Sequence, residues 1–443
     1  MRSNRLAISD RAKVVLAWSI AFILGHSLIG CDRSAKRPID SGAQVAESAE
    51  PVKTSEQRSL YVSAPSSTET IAIGLDADLT SASAQAGEAI RRGLVLAIEQ
   101  VNRRGGLLGK DVELVLRDHR GNPIRGVDNI RELASYKNLV AIVGGIHTPV
   151  ALEELAVIHE LKVPYLGPWA AGTPLVSNGY DPNFVFRVSV RDEYAGEFLV
   201  DRVIDEGWER IGIILEQTGW GRSNEEAIIR ALQNRGLEPV ALEWFHWGDT
   251  GITSKLQRLI DADLEVVLLI SNPLEGASVV TAMARQSEEF RLPIRSHWGI
   301  AAGNFPDLVG ESLRQVDLQL IQTHSFLRDD LTGREESFVN AYCEMFDDAQ
   351  SARDIFSPVG TAHAYELVGM LSQAIEDCQS TDRLQVRDAL EDLKAYEGLI
   401  RFYEQPFPAD HHDALSFDDL SMAKFDESGV LVPIAQKESD LDR

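Results

Sequence analysis

With 443 residues, 44% hydrophobic and 25% charged side chains, the chain has globular composition and room for two or three domains of roughly 100–200 residues each. The formal net charge is −25; Arg2, Arg5, Arg11 and Lys13 against Asp10 give the first thirty residues +3, leaving −28 elsewhere. A surface that acidic repels phosphate backbones, so no nucleic-acid partner is expected. The three cysteines, Cys31, Cys343 and Cys378, form no CxxC pair. Thiolate zinc sites and iron–sulfur clusters are thereby excluded, and no cofactor is expected.

Residues 14–24, VVLAWSIAFIL, form an uncharged run behind a basic segment. The run is too short to span a bilayer, which takes about 20 residues, and has the shape of a signal-peptide core. Leu28-Ile29-Gly30-Cys31 follows and resembles a bacterial lipobox. The resemblance implies a signal peptide over 1–30, acylation of Cys31, and a membrane partner through the lipid anchor, on the periplasmic face of the cell envelope. Residues 31–69 are rich in Ser, Ala, Pro and charge, a composition that cannot bury enough apolar surface to order itself. A flexible tether is expected there, with the folded part starting near Thr70.

From Ile71 onward, strand-like and helix-like patterns alternate. IAIGL (71–75) precedes a helical stripe of Ile90, Leu94, Ala97, Ile98 and Val101, which Gly105-Gly106 stops before the strand VELVLRD (112–118). LVAIVGG (139–145), a helix to Leu161 and VPYLGP (163–168) repeat the scheme. A second series runs from a helix over 192–206 through RIGIILE (210–216), PVALEWF (239–245), LEVVLLI (264–270) and LPIRSHW (292–298), with helices between. Runs such as AIVGG and VVLLI lack a polar face, as strands covered on both sides do. The fold class is α/β, with two doubly wound lobes. Helices then follow one another at 334–348, 359–378 and 384–393. In such sheets ligands bind beyond the carboxyl ends of the strands, and two lobes make the cleft between them the natural site.

The strings NRRGGLLGKDVELVLRD (102–118), VGGIHTP (143–149), VPYLGPWAAGTP (163–174), QTGWGRS (217–223) and GTAHAYELVGMLSQAIEDC (360–378) together resemble the type I periplasmic binding proteins. The similarity is to the branched-chain amino-acid-binding group of ABC-transporter substrate-binding lipoproteins and covers about residues 70–435. It implies a hinge of three crossings, with lobe 1 at 70–188 plus 322–395 and lobe 2 at 189–321 plus 396–443. It also implies a site. Thr148 matches a hydroxyl that binds a ligand carboxylate at a helix N-terminus. Ala170 and Ala171 match positions facing the ligand amine, Trp220 an aromatic closing from the second lobe, and Ser271 a second-lobe contact.

Trp298 stands where amino-acid binders of this family often place an acid for the ligand ammonium. Asp118, Asp76 and Glu275 are the candidate substitutes. Trp169, Trp220 and Trp298 would wall the cleft with rings, which suits an aromatic or apolar carboxylate, or a cation over ring faces. The implied function is capture of a small solute, an amino acid or related carboxylate or amide, for an ABC permease. A ligand-sensing receptor of the same fold is the alternative. An enzyme is not expected, because no G-x-S-x-G elbow occurs. His147, beside Thr148, is read as cleft residue or packing. Asp410-His411-His412-Asp413 is read as a solvated loop and not a metal site, since neighbours on a strand point apart. Cys343 and Cys378 on consecutive helices could form a disulfide or stay as two buried thiols.

Overall fold

The structure, a computed structural model, describes residues 61–249 and 251–434. The expected signal peptide, Cys31 and most of the expected tether lie outside them. The first sheet is built from β1 (Tyr61–Val62), β2 (Ile71–Ala77), β3 (Val112–Asp118), β4 (Leu139–Val143), β5 (Tyr165–Gly167) and β6 (Val185–Arg187). Its order is β1-β3-β2-β4-β5-β6, and every pairing is parallel. Tyr61 and Val62 pair with Leu114 and Val115, so the chain joins the sheet earlier than its composition suggests. Edge pairing needs only backbone groups, which composition does not reveal.

The crossover helices are α1 (Ala84–Arg103), α2 (Pro123–Ala134), α3 (Thr148–Leu161) and the short α4 (Thr173–Val176). Gly105 (φ +103°) and Gly106 (φ +75°) end α1 as expected, in a conformation that only glycine adopts cheaply. The strand β4, LVAIV, is buried at all five positions, as its lack of a polar face requires.

The second sheet begins after α5 (Asp192–Asp205). It comprises β7 (Ile211–Glu216), α6 (Gly219–Asn234), β8 (Ala241–Phe245), α7 (Ile252–Ile260), β9 (Val266–Ile270), α8 (Pro273–Ala284), β10 (Ile294–Ser296), α9 (Phe305–Val309) and β11 (Leu318–Gln322). Then α10 (Gly333–Met345), α11 (Pro358–Cys378) and α12 (Arg383–Asp392) follow without strands between them. The small hairpin β12 (Tyr396–Glu397) and β13 (Phe402–Tyr403) comes next, then β14 (Ser421–Phe425) and β15 (Leu431–Pro433). The sheet order is β15-β14-β11-β10-β9-β7-β8, antiparallel only at the β14 and β15 edge.

Residues 396–415 differ from expectation. Arg187 at the end of β6 pairs with Asp413, its N–H donating to His412 O (2.8 Å) and its carbonyl accepting from Ala414 N (2.9 Å). This segment therefore extends the first sheet, and the chain re-enters the second only at β14. The second half of the acid-histidine string, His412-Asp413, is a buried strand-like bridge and not a solvated loop, while Asp410 lies exposed in a turn and His411 is half-buried. His412 is 1% and Asp413 2% exposed, with the His412 ring stacked on Phe186 at 4.3 Å. Its Nδ1 meets Val185 O (2.8 Å) and its Nε2 meets Glu391 (3.1 Å). Among the described residues no cluster of three or more potential ligands could hold a metal.

Cys343 and Cys378 are free thiols. They pack in different hydrophobic clusters, Cys343 beside Phe338 and Tyr342, Cys378 in the main core, which leaves no bridge between them.

The helix pair α1 and α11 seals the first lobe. A Cβ at Gly93 would overlap the carbonyl oxygen of Thr361. Gly93→Val is therefore expected to cost about 1–3 kcal/mol through overpacking. The readout is a lower urea midpoint at unchanged slope; an unchanged midpoint would contradict so close an approach.

Candidate functional site

Both sheets direct their strand ends at a common cleft. From the first come the β4–α3 loop and the residues after β5; from the second, the end of β7, the start of α6, the β9–α8 loop and the turn Trp298–Ala302. Five of the seven residues singled out in the sequence meet there: Thr148, Trp169, Ala171, Trp220 and Trp298. Between them remains a cavity of ≈ 10 Å³, about the space of one water. A solute of amino-acid size can enter only if the lobes separate.

Thr148 opens α3, and no side chain caps that helix. Pro149 sits in its first turn, where its missing N–H costs nothing. The Thr148 hydroxyl accepts a hydrogen bond from Gly172 N (3.2 Å), which ties the two first-lobe loops together. Facing it, α6 is capped by Thr218, whose hydroxyl accepts from Gly221 N (3.3 Å). Trp220, in the first turn of that helix, donates its indole N–H to Asp192 (3.0 Å) at the start of α5. The Trp169 and Trp298 rings are 5.9 Å apart, from opposite lobes. Trp298 also lies 6.0 Å from the His363 ring on α11. His363 Nδ1 meets Pro168 O (2.7 Å) and must donate there, so its Nε2 accepts from Thr323 (2.8 Å). Burial pushes this imidazole down to about 3, and it stays neutral.

Ala170 and Ser271 stand apart from the cavity. The Ala170 carbonyl accepts from Arg187 Nη1 (3.1 Å), and the Ser271 hydroxyl donates to Asn272 O (2.9 Å). The expected replacement acids also lie elsewhere. Asp118 holds Leu79 N (3.0 Å) and the Thr80 hydroxyl (2.5 Å). Asp76 accepts from Asn129 (2.7 Å), with burial, then Glu154, raising its carboxyl well above the usual range. Glu275 accepts from Gly248 N (2.7 Å). Each serves local structure.

The acid that does line the cleft is Glu216, the last residue of β7, which sequence reasoning missed. It is fully buried. The Thr218 hydroxyl donates to its Oε1 (2.8 Å), while Trp247 Nε1 (3.1 Å) and Asn272 Nδ2 (2.7 Å) donate to its Oε2. Burial, opposed by the Thr218 and Trp247 hydrogen bonds, pushes its carboxyl up to about 7. His147 lines the same cavity as a cleft residue, its ring 5.5 Å from Trp247 of the second lobe and its Nε2 3.4 Å from Asp78. The cleft thus offers an uncapped helix start and a hydroxyl on one lobe, a buried carboxyl on the other, and indole walls between. These are means of holding a solute.

Two doubly wound lobes around such a cleft define the type I periplasmic binding proteins. The sequence profile of the periplasmic binding protein family matches residues 70–418, and the chain belongs to that family. Its members bind solutes outside the cytoplasm and are not enzymes; solute binding is the general role of this chain. It is similar to the Leu/Ile/Val-binding protein homolog 3 of Brucella melitensis, 26% identical over 74% of this chain and 85% of the relative. Among solved structures it resembles a periplasmic binding protein type 1 from Bordetella pertussis (TM-score 0.74, 24% identity, 82% of this chain and all of the other). A branched-chain amino-acid transporter substrate-binding protein, LivJ of Streptococcus pneumoniae in complex with isoleucine, matches at TM-score 0.69 and 20% identity over 82% of this chain and all of that one. A solute-binding protein of an ABC transporter from Rhodopseudomonas palustris, in complex with 3,4-dihydroxybenzoic acid, matches at 0.68 and 16% over 83% and 96%.

Proposed function

We propose that the chain is a cell-envelope lipoprotein, anchored through Cys31, that captures a small carboxylate-bearing solute by hinge closure and delivers it to an ABC permease. The observation that carries the reading is Thr148 at the uncapped start of α3, facing Trp220 across a cavity closed by both lobes. The positive end of the α3 helix dipole favours an anion there, and the hydroxyl adds a directional contact. The ring walls supply apolar area for the solute's body. An amino acid or an aromatic carboxylate satisfies both demands. Relatives named for leucine, isoleucine and valine support the first, and a fold neighbour holding a dihydroxybenzoic acid supports the second.

Thermal unfolding of the purified protein against amino acids, aromatic acids, amides and polyamines tests this reading. A solute that binds only the folded state, at a hundred times its dissociation constant, adds about 2.7 kcal/mol. The expected result is stabilisation by carboxylates and none by polyamines. Stabilisation by polyamines alone would contradict the carboxylate assignment.

A further inference from the structure

Resting on the reading that the cleft captures a carboxylate-bearing solute, we propose that Glu216 determines its selectivity: the Glu216 carboxylate receives an ammonium group of the solute whose carboxylate is held at Thr148. None of the acids read from the sequence as partners for an ammonium, Asp76, Asp118 and Glu275, reaches the cavity. Glu216 does, from the lobe opposite Thr148. The solute's two charges would then be divided between the lobes, so that its full binding energy is realised only when they close.

The geometry leaves the carboxylate room for one more donor. Oε2 already accepts two hydrogen bonds, from Trp247 and Asn272, and Oε1 accepts one, from Thr218. A carboxylate oxygen offers two lone pairs, so Oε1 retains one. A buried carboxylate without a counter-charge is costly, and a buried ammonium equally so; each relieves the other. The charged or titratable groups facing Glu216 are His147 from the start of α3 and Glu275 from α8, the first favouring its ionised form and the second opposing it.

A proton is linked to this step. With its carboxyl pushed up to about 7, Glu216 is about half protonated at pH 7 before the solute arrives. An incoming ammonium favours the ionised form, so the carboxyl proton leaves to solvent as the solute binds. Binding should therefore release part of a proton between about pH 6 and 8. Affinity should fall as pH drops through 7, approaching about tenfold per unit below it, and level off above.

The test is calorimetric titration of the full chain with two matched pairs, L-leucine against 4-methylpentanoate and L-phenylalanine against 3-phenylpropanoate. Each pair differs by the ammonium alone. The wild type should prefer the amino acid of at least one pair by about a hundredfold. Glu216→Gln keeps the size and, with its carbonyl oxygen in the place of Oε2, the acceptor for Trp247 and Asn272. It should collapse that preference to less than about threefold while leaving the des-amino acid's affinity unchanged, a pattern that general loosening of the cleft would not give. Should the variant fail to fold, wild-type titrations in buffers of different ionisation enthalpy still count the released proton. Equal binding of both members of each pair, or no proton release, overturns the role of Glu216 and leaves solute capture intact. Failure of all four compounds to bind overturns the underlying reading and the role of Glu216 with it.

Discussion

Replacing Asp413 by alanine is expected to cost about 3–5 kcal/mol of folding stability, because it strands buried guanidinium groups. Asp413 is fully enclosed and accepts from Arg187 Nε (2.5 Å) through one oxygen and from Arg191 Nε (2.9 Å) through the other. Arg187 is 1% exposed and also donates to the carbonyls of Ala170 and Gly172. The pair therefore fixes three segments at once: the end of β6, the cleft loop after β5, and the returning strand near 413. Removing Arg187 and Asp413 together, Arg187→Met with Asp413→Leu, should recover only part of the loss, since Arg191 keeps Ser177 and Glu193 but the Ala170 and Gly172 carbonyls lose their donor. Urea denaturation reads both variants. A loss below about 1 kcal/mol for Asp413→Ala would mean that water reaches the stranded arginines.

Trp220→Ala is expected to weaken solute binding by about 30- to 1,000-fold, the range for truncating a buried aromatic anchor. The ring packs edge-on to His297 at 5.0 Å, against a turn where Gly299 leaves no space for a side chain. Its indole N–H holds Asp192 at the start of α5, next to the crossing from β6 into the second lobe. Truncation thus removes a wall and frees a hinge contact together. Trp220→Phe keeps most of the wall and loses the hydrogen bond, so it should stay within about tenfold of wild type. Calorimetric titration with whichever amino acid or aromatic acid stabilises the protein separates the two. Binding by Trp220→Ala within about threefold of wild type would place the solute elsewhere.

The alternation of apolar strands and amphipathic helices made the two lobes legible, because strands buried on both faces have no polar side to hide their pattern. The helix α2 was passed over although it was legible: Asn122 caps it, Pro123 opens it, and its buried Gly126, Ile130 and Leu133 share one helical face. The edge strands β14 and β15 are short and partly exposed, and a pattern of three to five residues carries no period. Asp413 was misread for a related reason. Its burial depends on two arginines more than 220 residues away, and no local pattern encodes such a partner. Glu216 was missed by a single position, since the ligand loop was counted from Gln217. The signal was present: a carboxylate closing the apolar run IGIIL at the carboxyl end of a strand, where ligands of α/β sheets bind.

Hydrogen–deuterium exchange of the protein with and without saturating solute tests most directly the claim that both lobes close on one ligand. The expected result is added protection at 144–150 and 169–173 from the first lobe, together with 216–221 and 297–300 from the second. Protection confined to one lobe, or lying outside these four segments, would contradict capture in the cleft.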